Sequence, residues 1–365
     1  MILTVAFYTF VAFTVIQLCY FFYFSSFLFK SKKKRKTKTQ EPVSIIVFVK
    51  NSEVFLSRFL PSIIEQQYSK FEIVLINNAS IDDTAEIIET FKEKNQNIKI
   101  IDVENNEAFW GNKKYALTLG IKAAKYENLL FTDPDCIPNS KFWIQEMASN
   151  FTNKKTIILG YSKLKVNNTI TNLIARFHNL TLALQCFSFA KSGAPFMAFG
   201  NNYGYTKSTF FKVKGYINHI KVKNGENDLF IRDAATKENI SFCVSEKSLI
   251  EKDTLLKFTN WFQSLREKRQ LKKHYNFKHR FFISFFIFSK AVFYVLAILL
   301  FFYYPWTIIL PIVLSYFLTQ FIVFGFSAKK LKESYLIFFL PFLDISLLLI
   351  QISIFSANLI SKPNN

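Results

Sequence analysis

Four long apolar runs stand out along the chain, one at its beginning and three near its end. The first covers residues 1–29 without a charged side chain, and it exceeds the roughly 20 residues that a helix needs to cross a bilayer. The other three cover residues 281–304, 305–327 and 335–357. We therefore predict four transmembrane helices. The first is an uncleaved anchor, because its positive charges follow the apolar run instead of preceding it.

Residues 42–280 show a different pattern, in which short β-rich runs alternate with helical stretches. Runs that are apolar throughout are typical of buried strands in a largely parallel sheet. The predicted strands are Val43–Val49, Phe71–Ile76, Ile98–Val103 and Asn128–Thr132, and the predicted helices are Glu53–Gln67, Asp82–Glu93 and Lys113–Tyr126. This alternation predicts right-handed βαβ units and a doubly wound α/β domain. A basic cytoplasmic linker, residues 30–41, joins this domain to the anchor.

Composition and charge agree with a membrane protein. Half of the 365 residues are hydrophobic, yet the net charge is +20. Lysine and arginine cluster at residues 30–38, 266–280 and 329–332, next to the predicted spans. The positive-inside rule places these clusters in the cytoplasm, so we expect a cytoplasmic α/β domain, both termini on the opposite side, and a plasma or inner membrane location. Anionic lipid accounts for the basic charge, and no nucleic-acid partner is expected.

Three segments leave structural alternatives open. Lys290 and Asp344 fall inside predicted spans, where unpaired charges are costly. They either contact each other, or Lys290 extends towards the interface while Asp344 lies near a polar boundary. The mainly apolar stretch Asn172–Phe199 fits an interfacial amphipathic helix and also fits a buried core helix.

Candidate functional residues follow the predicted strands, because ligands of doubly wound sheets bind beyond the carboxyl ends of the strands. These ends read Lys50-Asn51, Asn77-Asn78 and Asp133-Pro134-Asp135. None begins a glycine-rich phosphate loop, so a Rossmann cofactor site and a P-loop have no support. Two carboxylates one residue apart at a strand end can share a divalent cation that carries a diphosphate. Taken alone, the Asp-x-Asp triplet is a weak signal, because such triplets are more often solvated turns.

The order and spacing of several segments resemble inverting family 2 glycosyltransferases, which have the GT-A (nucleotide-diphospho-sugar transferase) fold. The donor half of that family is matched by VSIIVFVKNSE, EIVLINNASIDDT, GNKKYALTLGI and LLFTDPDCIP. The acceptor half is matched by residues 200–216 and 224–230, and WFQSLREKRQ stands where the family has Q-x-x-R-W. With its predicted spans, the chain is similar to membrane-integrated members such as ceramide glucosyltransferase-like and polysaccharide synthase-like enzymes.

The resemblance implies a sugar transfer and assigns the catalytic roles. The donor is a nucleotide-diphospho-sugar, most simply a UDP-sugar, and Asp133 and Asp135 hold Mg²⁺ or Mn²⁺ at its diphosphate. Asp228 is the first candidate for the general base and Glu226 is the alternative. Both acids also suit a helix N-terminus for purely structural reasons.

The resemblance further implies which residues contact the substrates. Asn51, Asn78, Lys114 and Asp133 are expected at the nucleotide-sugar, and Phe109 and Trp110 are expected either to stack on it or to lie in the core. Gln263 with Arg266 or Arg269 is expected at the diphosphate or the acceptor, although basic residues next to a span also serve as lipid contacts. Two departures from the family are Glu267 in place of tryptophan and Asn77-Asn78 in place of an acidic pair that contacts uracil. The second leaves the nucleotide base open.

The sequence is compatible with three functions. The first is a membrane-bound glycosyltransferase with a lipid or lipid-linked glycan as acceptor. The second is a processive polysaccharide synthase subunit. The third is a catalytically silent membrane scaffold or nucleotide-sugar sensor.

Overall fold

The computed structural model describes residues 1–29, 41–104, 113–254 and 256–361. The predicted linker therefore lies almost wholly outside the described residues, as do Phe109 and Trp110. The chain folds as two compact units. We call residues 32–165 and 189–255 the sheet unit, and residues 1–31, 166–188 and 256–365 the helical unit.

The sheet unit contains a seven-stranded mixed sheet and a smaller three-stranded sheet. The strands are β1 (Val43–Val49), β2 (Phe71–Asn78), β3 (Ile98–Val103), β4 (Asn128–Thr132), β5 (Cys136–Pro138), β6 (Ile157–Leu159), β7 (Ser162–Leu164), β8 (Tyr203–Thr206), β9 (Ile240–Phe242) and β10 (Ile250–Lys252). The larger sheet has the order β3-β2-β1-β4-β8-β6-β9, and the smaller one has the order β5-β10-β7. This mixed α/β arrangement confirms the predicted fold class.

The four predicted strands are confirmed, and they pair in parallel as β3-β2-β1-β4. β1, β2 and β4 read as nearly continuous apolar runs because helices cover both faces of the sheet, and six of the seven residues of β1 are buried, all except Phe48. One boundary differs from the prediction. β2 continues to Asn78, so Asn77 and Asn78 belong to the strand and pair with β3.

The helices are α1 (Ile2–Ser25), α2 (Glu53–Ile64), α3 (Thr84–Lys94), α4 (Lys113–Ala123), α5 (Trp143–Ala148), α6 (Ile170–Ser192), α7 (Lys207–Lys212), α8 (Asp228–Ala234), α9 (Phe258–Leu271), α10 (Phe277–Tyr303), α11 (Trp306–Leu331) and α12 (Leu340–Ile360). The three predicted helices of the α/β region correspond to α2, α3 and α4. α3 begins at Thr84, two residues later than predicted, and Thr84 N donates to Asp82 Oδ1 (3.2 Å).

Among the residues that the structure describes, the helical unit contains four helical segments that are long and apolar enough to cross a membrane: residues 2–29, 277–303, 306–331 and 334–360. In the last of them, a 3₁₀ turn at Ser334–Phe339 precedes α12. Lys290 and Asp344 form a buried ion pair, and the hydroxyls of Tyr294 and Tyr316 donate to Asp344 Oδ2 at 2.8 Å each. Of the two alternatives, the direct contact is the one observed.

The part of α6 in the helical unit is buried within the protein, as the second alternative predicts, and a position at the membrane interface stays a prediction. Phe177, Leu180 and Leu184 are fully buried, and Arg176 makes a buried ion pair with Glu333. Glu333 immediately precedes the 3₁₀ turn before α12. The ion pair therefore ties α6 to the connection between α11 and α12.

Contacts within the helical unit give the directions of its long helices. α1 and α10 run antiparallel, since Phe7 stacks on Tyr304 at one end and Tyr20 OH donates to Phe282 O (2.8 Å) towards the other. The end of α11 lies at that second end as well, because Lys330 Nζ donates to Leu28 O (3.3 Å).

α12 returns to the same end. Asp344 lies beside Lys290, about half-way along α10, whereas Ser361 O accepts from Arg266 Nη2 (2.7 Å) in α9, which precedes α10. Along the chain, α12 thus proceeds from the middle of α10 towards its beginning. These contacts give the direction of α12 relative to α10, and the predicted fourth crossing with a C-terminus on the far side stays a prediction.

Candidate active site

The two predicted metal ligands lie at the carboxyl end of β4. The strand ends at Thr132, and a turn closed by the hydrogen bond from Cys136 N to Asp133 O (3.1 Å) follows. Carboxylate oxygens of Asp133 and Asp135 and Sγ of Cys136 lie within 4.8 Å of one another. Burial raises the pKa of the Cys136 thiol, which donates to Asp135 Oδ1 (3.2 Å). The two carboxylates remain as oxygen ligands, and they fit a hard divalent cation such as Mg²⁺ or Mn²⁺.

A lysine lies against the same carboxylate pair. Lys252, in β10, places Nζ 3.1 Å from Asp135 Oδ2, and Thr254 Oγ1 donates to the same oxygen (2.9 Å). Asp253 N also donates to Asp135 O (2.7 Å). Burial alone would lower the pKa of Lys252, but the carboxylates of Asp133 and Asp135 outweigh it and raise the pKa above its ordinary value. Lys252 is therefore a positive charge held at the site.

A second lysine, Lys113 at the start of α4, joins Asp133 to Glu226. Its Nζ lies 2.9 Å from Glu226 Oε1, 3.9 Å from Asp133 Oδ1 and 5.3 Å from the ring centre of Phe48. Burial alone would raise the pKa of Glu226, but the charge and hydrogen bond of Lys113 outweigh it and lower the pKa. Glu226 is thus an ionised carboxylate. The cleft around these groups is lined by Ile46, Phe48, Lys113, Leu117, Phe131, Thr132, Asp133, Gly200, Tyr203 and Glu226.

Asp228 has a different environment from Glu226. It is the first residue of α8, and its Oδ1 accepts from Ala198 N (3.3 Å) and from Asn227 Nδ2 (3.0 Å). Asn227 Nδ2 also donates to Ala198 O. The side chains of Asn227 and Asp228 thus both bind the backbone of Ala198. Glu226 instead lies on the other side of Lys113 from Asp133.

The predicted nucleotide contacts divide into two groups. Asn51 and Lys114 bind backbone: Asn51 Oδ1 accepts from Ile81 N (3.0 Å), and Lys114 Nζ donates to His219 O (2.8 Å). Burial lowers the pKa of Lys114 to about 8. Asn78 is buried, and its Nδ2 has no partner among the described residues. An amide donor of this kind at a strand end is available to a ligand.

Comparison with known proteins identifies the segment that carries this site. Residues 44–177, from β1 into α6, match the sequence profile of glycosyl transferase family 2. This segment is a family 2 glycosyltransferase domain. The match includes Asp133 and Asp135 but ends before Glu226.

Two curated relatives match parts of the glycosyltransferase domain. The poly-beta-1,6-N-acetyl-D-glucosamine synthase of Staphylococcus epidermidis is 37% identical over 97 residues, which are 27% of this chain and 22% of the relative. A probable glycosyltransferase of Bacillus subtilis, YdaM, is 26% identical over 182 residues, which are 48% of this chain and 42% of the relative. The matches therefore span less than half the length of either relative.

A solved structure resembles the whole chain in fold. The mannosyltransferase PcManGT from Pyrobaculum calidifontis, in complex with GDP-Man and Mn²⁺, superposes with a TM-score of 0.60. The superposition covers 95% of this chain and 99% of that one, at 13% sequence identity. It shows the GT-A fold that the sequence predicts.

The remaining predicted residues, Gln263, Arg266 and Arg269, lie in α9 of the helical unit. Arg266 Nε donates to Asn358 Oδ1 (2.9 Å), and its guanidinium also reaches Gln263 Oε1 (3.4 Å). Arg269 lies 4.8 Å from the ring centre of Phe355. Both arginines therefore contact α12, and a role at the diphosphate stays a prediction.

Sequence reasoning about the glycosyltransferase domain missed Lys113 and Lys252. Lys113 and Lys114 are adjacent, and consecutive helical positions point about 100° apart. The helix pattern holds a signal for the lysine that lies at the carboxylates: Lys113, Leu117 and Gly120 share one face at spacings of four and three residues. Lys252 carries no comparable signal, because β10 is only three residues long.

Proposed function

We propose that this protein is a membrane-bound inverting glycosyltransferase that moves a sugar from a cytosolic nucleotide-diphospho-sugar to an acceptor presented at the membrane. The observation that carries the proposal is that Asp133 lies beside Asp135 at the end of a strand of the family 2 segment and is joined to Glu226 through Lys113. Such a site provides for both the leaving group and the attacking hydroxyl.

Groups on the donor side of the cleft stabilise the negative charge of the leaving diphosphate. Asp133 and Asp135 would hold Mg²⁺ or Mn²⁺, which supplies Lewis-acid stabilisation of the charge on the diphosphate when bound. The ammonium groups of Lys113 and Lys252 add positive charge within the same cluster. The Mn²⁺ in the mannosyltransferase of similar fold is consistent with this assignment.

Glu226, the alternative candidate from sequence, is the proposed general base for the attacking hydroxyl. As the acceptor oxygen forms its bond to the anomeric carbon, Glu226 takes the hydroxyl proton. The bond from the anomeric carbon to the diphosphate breaks, and its electron pair leaves with the nucleoside diphosphate. Attack opposite the leaving group inverts the anomeric centre. Asp228, the first candidate from sequence, positions the chain at Ala198.

The nucleotide is expected to lie along the ends of β1 and β2. Asn78 Nδ2 is buried and without a partner among the described residues, so it is free to donate to a base or ribose. Asn77 instead donates to Asp102 Oδ1 (2.9 Å). A UDP-sugar is the first donor to test.

The membrane arrangement follows from charge and from the direction of α12. We place the protein in the plasma or inner membrane, with its basic clusters in the cytoplasm. The sheet unit is then cytoplasmic, and Met1 lies on the opposite side. The contacts of Arg266 with Ser361 then return the C-terminal end of α12 to the cytoplasmic side. Three crossings and one re-entrant segment result. A lipid or lipid-linked glycan acceptor suits so few crossings.

A processive polysaccharide synthase subunit is the second candidate. The observation in its favour is the 37% identity to a poly-beta-1,6-N-acetyl-D-glucosamine synthase. Product length separates the two candidates: one sugar per acceptor for single transfer, and a ladder of lengths for a polymerase.

The test uses the purified full-length chain in lipid nanodiscs. Transfer to lipid extracts and donor hydrolysis are measured for a panel of nucleotide-sugars, with MnCl₂ and with EDTA. We expect Asp135→Ala and Glu226→Gln to lower turnover by about 10²-fold or more, while Asp228→Asn and the exposed control Glu238→Gln retain more activity.

Each other outcome assigns the function differently. Loss of turnover in Asp228→Asn but not in Glu226→Gln would exchange the roles of the two acids. Equal activity in all variants would remove the site. No turnover together with no nucleotide binding by calorimetry would favour the silent scaffold.

A further inference from the structure

The carboxylate of Asp135 is paired with the ammonium group of Lys252. Oδ2 accepts from Lys252 Nζ (3.1 Å) and Thr254 Oγ1 (2.9 Å), and Oδ1 accepts from Cys136 Sγ (3.2 Å). A divalent cation bound by Asp135 must therefore take the place of an ammonium group supplied by the protein itself.

The backbone holds Lys252 at this position. β10 pairs antiparallel with β5, and Lys252 is the register partner of Cys136, the residue next to Asp135. The hydrogen bond from Asp253 N to Asp135 O (2.7 Å) fixes the following residue as well. The Cα of Lys252 is thus set by two strands, and only its side chain is free to move.

The neighbouring acid does not compete for this lysine. The carboxylate of Asp253 is paired with Arg58 (3.0 Å) and with Lys165 (2.9 Å). With its own partners in place, Asp253 leaves Lys252 to Asp135.

The charge balance at the site disfavours binding of a divalent cation without a diphosphate. Asp133, Asp135 and Glu226 contribute three negative charges, and Lys113 and Lys252 contribute two positive charges. A divalent cation that arrives alone meets a nearly neutralised site and the repulsion of an ammonium a few ångströms away. A diphosphate adds negative charge and offsets that repulsion.

We propose that Lys252 sets the order of binding at the metal site: its ammonium occupies Asp135 until a donor diphosphate arrives, so that the divalent cation and the nucleotide bind together. This inference rests on the proposed function. Because coupling between two ligands is reciprocal, the cation raises the affinity for nucleotide by the same factor as the nucleotide raises the affinity for the cation.

The test measures Mn²⁺ binding, not turnover. Full-length protein in nanodiscs is titrated with MnCl₂ without nucleotide, and free Mn²⁺ is followed by electron paramagnetic resonance. We expect Lys252→Met to bind Mn²⁺ about tenfold more tightly than the wild type, because the competing charge is gone. Lys252→Arg keeps the charge and should bind as the wild type does.

The matched control is Lys163→Met. Lys163 lies in β7, the other neighbour of β10, and pairs with Glu251 (2.7 Å) instead of Asp135. This variant loses the same charge from the same small sheet and should leave Mn²⁺ affinity unchanged. If Lys252→Met does not fold, Lys252→Gln tests the same charge loss while keeping a hydrogen-bond donor.

Nucleotide binding provides the second readout. The affinities for UDP and for GDP are measured with and without MnCl₂, and the factor by which Mn²⁺ strengthens nucleotide binding should shrink in Lys252→Met. Equal Mn²⁺ affinity in the wild type and Lys252→Met would overturn the role of Lys252 and leave the proposed function standing. A wild type that binds neither nucleotide nor Mn²⁺ would overturn both.

Discussion

The residue that connects the two halves of the cleft is Lys113. Its ammonium pairs with Glu226 and lies near Asp133, so it stabilises the ionised form of the proposed base. The same pairing occupies that base in the absence of substrate. Donor binding must therefore redistribute the contacts of Lys113 before Glu226 can accept a proton.

The pH dependence of activity tests this pairing. In the wild type, Lys113 lowers the pKa of Glu226 against the effect of burial, so the base stays ionised to a lower pH than usual. In Lys113→Met only burial remains, which raises the pKa. We expect the acidic limb of the kcat/KM profile to move to higher pH by about 1–3 units. Lys163→Met is the control, and an unmoved acidic limb in Lys113→Met would contradict the pairing.

At the residue scale, sequence predicted the carboxylates better than the lysines. Asp133 and Asp135 are recognisable because they follow a long buried strand, where a doubly wound sheet binds its ligand. The choice between Glu226 and Asp228 depends on which side chain faces the cleft, and a separation of two residues at a helix start does not determine it. Lys252 reaches the site through pairing between segments more than a hundred residues apart.

At the scale of elements, the four parallel strands were predictable and the short strands were not. A strand covered on both faces needs a nearly continuous apolar run, and β1, β2 and β4 provide one. The edge strand β3 exposes Lys99 and Asp102. The strands β5, β6, β7, β9 and β10 have three residues each, too few to show a period. Their pairing is a property of the folded chain.

Close packing in the larger sheet gives a stability prediction. A Cβ added at Gly204 in β8 would lie 2.5 Å from the carbonyl oxygen of Leu129, a backbone atom of β4. We expect Gly204→Ala to lower the free energy of unfolding by about 1–3 kcal/mol, measured by thermal or denaturant unfolding in detergent. At Gly325, in α11, nothing lies within 4 Å of an added Cβ. A Gly325→Ala variant as unstable as Gly204→Ala would refute the packing argument.

The contact between α9 and α12 gives a second prediction. The guanidinium of Arg266 donates to Ser361 O (2.7 Å) and Ser361 Oγ (2.9 Å) at the carboxyl end of α12, where a positive charge is favourable. Arg266→Ala should lower stability by about 1–2 kcal/mol and leave kcat at saturating donor nearly unchanged. The exposed Arg280→Ala is the control. A large fall in kcat without a loss of stability would instead support the diphosphate role.

At the scale of the whole molecule, the direction of α12 is the basis of the proposed topology, in which three segments cross the membrane and the fourth returns. Composition and length identify four candidate spans, yet they contain no information on whether a segment crosses or returns. That information lies in the contacts of Lys290 with Asp344 and of Arg266 with Ser361. The fourth apolar run has a basic residue near each of its ends, which is compatible both with crossing the membrane and with returning to the same side.

Cysteine labelling measures this topology. In a background without the four native cysteines, Leu3→Cys, Lys223→Cys and Asn365→Cys are treated with a membrane-impermeant maleimide on intact cells and again after permeabilisation. We expect Leu3→Cys to react in intact cells, and the other two to react only after permeabilisation. Labelling of Asn365→Cys in intact cells would restore the four-crossing arrangement.

The ion pair of Lys290 and Asp344 also bears on how the protein is made. A carboxylate carried to the middle of a bilayer is costly until it meets its cationic and hydroxyl partners, and here those partners belong to α10 and α11. The last segment therefore settles only after the two preceding helices are inserted. Under the proposed topology, biogenesis therefore has an order, in which α12 packs after α10 and α11 are in place.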